Sequence, residues 1–224
     1  MKKIITVLLG ITLFYSCSKN DNSTSQNNNS TSSDVTIGSQ TWSARNLDVD
    51  HYRNGDIIPQ VTDATQWTNL TTGAWCYFDN DSANGAKCGK LYNWYAVSDP
   101  RGLAPTGYHI PTDSEWTILT NYLGGLNVAG SKMKETGTSH WSYPNSDATN
   151  SSGFNAIPGG FRDYALGIFL STTVFGYWWS STSGSSTSNF NTTKYYRQLH
   201  SDSGVVTRDA FYESSGYSVR CIKD

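Results

Sequence analysis

The residues best equipped for chemistry are four cysteines, four histidines and an acidic loop, "DNDSANG" at 79–85. Asp79 and Asp81 could offer hard oxygen ligands to a calcium-like cation. The register argues against this: an EF-hand-like loop wants an oxygen ligand at Ala83, glycine at Asn84 and glutamate at Lys90. Asp and Asn running into Gly is turn chemistry, and a turn is the expectation here. Redox work would need a C-x-x-C pair, which is absent, and no Cys/His set has zinc spacing. His51, His109, His140 and His200 are scattered, and no G-x-S-x-G, G-x-G-x-x-G or P-loop occurs. The sequence therefore nominates no metal site, no cofactor and no catalytic residue, and a non-enzymatic role is expected.

Binding chemistry has a better candidate. In "GYWWSST" (176–182), Tyr177, Trp178 and Trp179 could stack on sugar rings, with the hydroxyls and Asn189 as hydrogen-bonding groups. On a strand, Trp178 and Trp179 point to opposite faces, so one is expected in the core and the other at a ligand. Arg162, in "PGGFRD", either pairs internally or faces that same ligand.

The elements that would position these residues begin after an N-terminal leader. Lys2 and Lys3, an apolar run to Tyr15 and then Ser16-Cys17 read as a lipoprotein signal peptide over 1–16, with Cys17 taking the lipid. The apolar run is too short to span a membrane, which takes about 20 residues. Residues 17–34 hold no aromatic or aliphatic side chain and are expected to be a disordered Ser/Asn/Thr-rich tether. The expected location is the outer membrane or cell surface, reached through the lipid anchor. Residues 35–224 are enough for one domain. Without Lys2 and Lys3 the 16 basic residues fall to 14, against 18 acidic ones, and no Lys/Arg stripe appears, so nucleic acid is not an expected partner.

Within the domain, "VTIGSQTW" reads as a hairpin opened by Gly38-Ser39, and 48–74 as loop. "GKLYNWYAV" reads as a short helix. Thr112 and Glu115 form a capping box that starts a helix over 113–123, with Trp116, Leu119, Tyr122 and Leu123 on one face and Gly124 as the stop. A second short helix is predicted over 127–135. From 150 onward, aromatic clusters between Gly/Ser/Thr runs predict short strands. Two short helices, long loops and a twisted antiparallel sheet make an α+β domain. Cys76, Cys88 and Cys221 allow one disulfide and one leftover thiol, with Cys76–Cys88 and Cys76–Cys221 both open.

Seven separated blocks, among them "IGSQTW", "GAWCYFDNDSANGAKCGKLYNWYAV", "GLAPTGYHIPTDSEWTIL", "GFNAIPGGFRD", "WWSST" and "SVRCIKD", resemble the Fibrobacter succinogenes major paralogous domain family over nearly all of 35–224. The resemblance implies a C-type-lectin-like fold, distantly similar to formylglycine-generating enzymes. It also implies a secreted or lipid-anchored protein of the kind found in Bacteroidetes and Fibrobacteres. It favours Cys76–Cys221 as the bridge and leaves Cys88 unpaired. The copper-binding cysteine pair of sulfatase-activating enzymes and the E-P-N, Q-P-D and W-N-D motifs of calcium-dependent lectins are missing. The reading that follows is a surface module binding a glycan, a polysaccharide or a surface protein through Tyr177, Trp178, Trp179, Arg162 and Asn189. Alternatives are a formylglycine-generating-like enzyme and a purely structural or antigenic surface protein.

Overall fold

The computed structural model describes residues 34–184 and 193–224. The chain is α+β, with small antiparallel sheets and short helices, and the described residues fall in one compact unit. The opening hairpin forms as its glycine predicts: β1 (Val35–Ile37) pairs with β2 (Gln40–Trp42) around Gly38 at φ 62°. This hairpin is half of a four-stranded sheet. The last strand, β11 (Ile222–Lys223), inserts between β2 and β5 (Tyr108–His109).

The segment expected to be loop carries one short helix, α1 (Ala64–Thr68), capped by Asp63, ahead of β3 (Trp75–Cys76). The acidic stretch is not a simple turn. Asp81 accepts from Ala83 N at 2.9 Å and caps α2 (Ser82–Cys88). Gly85 lowers helix propensity, but a Cβ there would lie 2.0 Å from the Tyr77 ring, so close packing requires glycine. "GKLYNWYAV" divides into β4 (Leu91–Tyr92), paired with β3, and α3 (Trp94–Val97), capped by Asn93.

The capping box forms as predicted. Glu115 N donates to Thr112 Oγ1 at 3.2 Å and Thr112 N to Glu115 Oε2 at 2.7 Å, opening α4 (Asp113–Tyr122). Trp116, Leu119 and Leu123 are buried, whereas Tyr122, expected on the same face, is 66% exposed. Next comes α5 (Leu126–Met133). The late strands are β6 (Phe161–Arg162) with β7 (Phe169–Leu170), then β8 (Phe175–Ser183), β9 (Thr193–His200) and β10 (Val206–Tyr212) in the order β10-β9-β8.

Aromatic anchoring holds these pieces together. Among the eight tryptophans only Trp94 is not buried, and all eight indole N–H groups donate to groups inside the protein. The strand alternation predicted at "YWW" is present, but both faces of β8 are covered. Trp178 lies in one core with Trp42, Trp116 and Phe154; Trp179 lies in another with Trp75, Tyr92 and Tyr217. Between these cores runs Ser215–Ile222, buried throughout. It exchanges backbone bonds with Tyr92, Arg162, Trp179, Leu47 and Ser43. Four short sheets thereby become one domain.

Candidate ligand-binding groove

Three of the predicted contact residues, Trp178, Trp179 and Arg162, lie in the interior and not on a surface. Trp178 and Trp179 are 0% exposed, with Trp178 Nε1 donating to Asn46 Oδ1 at 2.9 Å and Trp179 Nε1 to Tyr92 O at 2.8 Å. Tyr177 is half-buried, and its ring stacks on Tyr217 at 4.9 Å. Arg162 is buried, donating from Nε to Gly167 O, from Nη1 to Val61 O and from Nη2 to Thr62 O, under the rings of Trp67 and Phe169. Asn189 lies outside the described residues. A strand with aromatics on both faces and a core on each side leaves no platform to offer.

The disulfide expectation is also corrected. Cys76, Cys88 and Cys221 are free thiols. Cys76 packs with Val61, Trp67 and Phe78, whereas Cys221 packs with Leu47, Tyr92 and Val219, so the two sulfurs belong to separate core clusters. Burial pushes the Cys76 and Cys221 thiols up to about 12, which holds them protonated and unreactive.

Each histidine is engaged by a carboxylate. His51 Nδ1 meets Asp50, His140 Nδ1 meets Glu135 at 2.7 Å, and His200 Nδ1 meets Asp202. His109 is held on both ring nitrogens, Nδ1 by Asp224 at 2.7 Å and Nε2 by Glu115 at 2.8 Å. Burial works against its charge, but the two carboxylates prevail and raise its pKa. An imidazole held on both ring nitrogens by carboxylates has no free nitrogen with which to act as a base. His109 is a clip joining β5, α4 and the end of β11. No Ser, Thr or Cys side chain is bonded to any of these imidazoles among the described residues, and none of those residues form a group of three or more His, Cys, Asp or Glu fit to hold a metal ion.

The open surface lies elsewhere, along α5. Two adjoining concavities of about 720 and 370 Å3 share Lys132 and Ser151. The larger is lined by Asn127, Ser131, Asp147, Thr149, Asp202 and Ser203, with half-exposed Val128 and Val205 as apolar patches. The smaller is lined by Thr36, Ser152 and Tyr122. Gly38 seats the Tyr122 ring, since a Cβ there would come within 2.9 Å of Cδ2. One side of the ring is packed and the residue stays largely open to solvent.

The groove walls are fixed by the end of α5. A helix leaves its last carbonyls without intrahelical partners. Here Thr149 N donates to Ser131 O at 2.8 Å, Ser152 Oγ to Lys132 O at 2.7 Å and Ala156 N to Met133 O at 2.8 Å. On the other side Ser131 N bonds Gly204 O, and a Cβ on Gly130 would come within 2.7 Å of that same oxygen. Lys134, buried, donates to Ser146 O and His200 O and joins the two walls beneath. The arrangement can hold a polar ligand: hydroxyls, one amide, two carboxylates and an ammonium line it, and one aromatic ring is available for stacking. Sequence reading missed this place because its polar residues are spread over four segments. The one local signal was Tyr122, which periodicity assigned to the core.

The described residues thus form an α+β domain with an open polar groove beside α5. Residues 35–223 match the model of the Fibrobacter succinogenes major domain, and the chain belongs to that family. No curated protein and no solved structure matches it.

Proposed function

We propose that this chain is a lipid-anchored protein of the outer membrane or cell surface, and that its domain, C-type-lectin-like in fold, binds a glycan or polysaccharide without catalysing a reaction. The observation that supports the ligand class is the groove beside α5. Solvent-open Tyr122 sits at one end, and Asn127, Ser131, Asp147, Thr149 and Asp202 line the remainder. Sugars are bound by an apolar ring face together with groups that donate to and accept from hydroxyls. Lys2, Lys3, the apolar run and Cys17 support the anchor. The test is a glycan array with residues 34–224 and with Tyr122→Ala and Asp147→Asn. Binding by the parent and its loss in both variants is the expected result; no sugar bound by the folded parent sinks the reading. For the anchor, Cys17→Ser should abolish incorporation of labelled fatty acid.

A further inference from the structure

A separate concavity of about 410 Å3 is lined by Arg45, Lys87 and Arg220, with Asn46 and Asn155 beside them and no Asp or Glu in its wall. Three cations gathered without a carboxylate are unusual in a chain that carries a formal net charge of −2. Arg45 and Lys87 are solvent-exposed and make no salt bridge among the described residues.

Arg220 is the informative member. It is 1% exposed, and burying a charge is costly unless it is paired or fully hydrogen-bonded. The other buried arginines satisfy this rule. Arg197 meets Asp113 at 2.8 Å, and Arg162 places Nε, Nη1 and Nη2 on three carbonyls. Arg220 meets no carboxylate among the described residues. Its Nε donates to Asn46 Oδ1 at 3.3 Å and its Nη1 to Ser43 O and Phe154 O, each at 2.9 Å. Nη2 makes no hydrogen bond among the described residues, on a side chain that forms part of the pocket wall. Burial holds its pKa down at about 9, which still leaves a cation at neutral pH.

The pocket is a built one. Asn46 Nδ2 donates to Cys88 O at 2.8 Å, fixing the α2 end next to Lys87, while Asn46 Oδ1 also accepts from Trp178. Gly89 lets that end close on Leu47, since a Cβ there would lie 2.7 Å from Leu47 O. Opposite, Asn155 N bonds Asn150 Oδ1 at 2.8 Å, which sets the loop forming the far wall. We propose that this pocket binds an oxyanion, a carboxylate, sulfate or phosphate group of a ligand, received by the free Nη2 of Arg220 and enclosed by Arg45 and Lys87. Arginine donors and flanking ammonium groups suit the planar or tetrahedral oxygens of such groups. The proposal does not depend on the groove beside α5, and its test leaves Tyr122 and Asp147 untouched.

The experiment is an NMR titration of labelled protein, following arginine Nε–Hε signals, with sodium sulfate, phosphate, D-glucuronate and D-glucose at constant ionic strength. Expected is a saturable shift of the Arg220 signal with at least one of the three anions and none with glucose. Sulfate or phosphate alone would mark a tetrahedral ligand, and glucuronate alone an acidic sugar. Removing Arg220 would also strip bonds from Ser43 and Phe154, so the variant is Arg45→Ala/Lys87→Ala, whose exposed side chains leave folding intact. Anion affinity should fall at least tenfold in it while Tm stays within about 1 °C. Two outcomes overturn the proposal: no saturable shift with any of the three anions, or equal affinity in the double variant.

Discussion

Arg197 Nη1 lies 2.8 Å from Asp113 Oδ1, and this pair joins the centre of the β10-β9-β8 sheet to the first turn of α4. Arg208, from β10, grips the same carboxylate from the solvent side, with contacts of 2.8 to 3.0 Å. Asp113 therefore carries two guanidinium partners at the N-terminus of a helix, where negative charge is favoured. Burial raises its pKa, but Arg208 and Arg197 outweigh that and hold it below the ordinary carboxylate value.

Asp113→Asn keeps the shape and removes the charge opposite a guanidinium that is 1% exposed. Orphaning one partner of a buried pair costs about 3 kcal/mol or more. Thermal unfolding should show Tm lower by about 6–12 °C. A change under about 2 °C would mean that Arg208 and solvent already screen the pair.

The His109 clip sets a pH dependence. Its folded pKa is raised above 6.5, so the stability it adds is fully present below about pH 6.5 and is lost as pH rises through the higher folded value. Glu115 has a lowered pKa in spite of burial, so its share is present above about 4.5 and lost as pH falls through the folded value. Urea midpoints of the parent and His109→Gln should differ most just below about pH 6.5 and converge as pH rises through the raised folded value. An imidazole titration midpoint at or below 6.5 contradicts the clip.

Tryptophans 178 and 179 should behave as core residues. Trp178→Ala or Trp179→Ala should destabilise by about 3–5 kcal/mol through cavity formation. Tyr122→Ala should cost about 0.5 kcal/mol or less, as at an open surface. Urea unfolding separates the two classes, and a stable Trp179→Ala protein would show that the Tyr217 core is not as closed as its packing indicates.

All three thiols of the described domain should be counted only after unfolding. At pH 8 the native protein should react slowly with a disulfide reagent, because burial puts Cys88 at about 11 and Cys76 and Cys221 at about 12. In denaturant without reductant, residues 34–224 should yield three thiols. A count of one would reinstate a bridge.

Features encoded within a few residues were legible in the sequence. The capping box at Thr112/Glu115, the Gly38 hairpin and the opposite facing of Trp178 and Trp179 all depend on local spacing, and all are present. What misled was the number of layers. A single strand cannot reveal that both of its faces are covered, so one tryptophan was assigned to ligand. Asp and Asn running into Gly85 read as a turn, whereas Asp81 caps a helix whose glycine is required by the distant Tyr77 ring. The groove and the cationic pocket were illegible for a similar reason. Arg45, Lys87 and Arg220 are far apart in sequence, and only tertiary closure brings them into one wall.

The buried passage from Ser215 to Ile222 bears on the order of events in the life of the chain. Without this passage β2 and β5 have no strand between them, and the Tyr92 and Trp179 N–H groups lose their acceptors, Tyr217 O and Ser218 O. Without the Ser215–Ile222 passage the local helices and hairpins have their own short-range bonds, but the seam between the two cores is open, so the domain closes as a unit only when that one strand is seated.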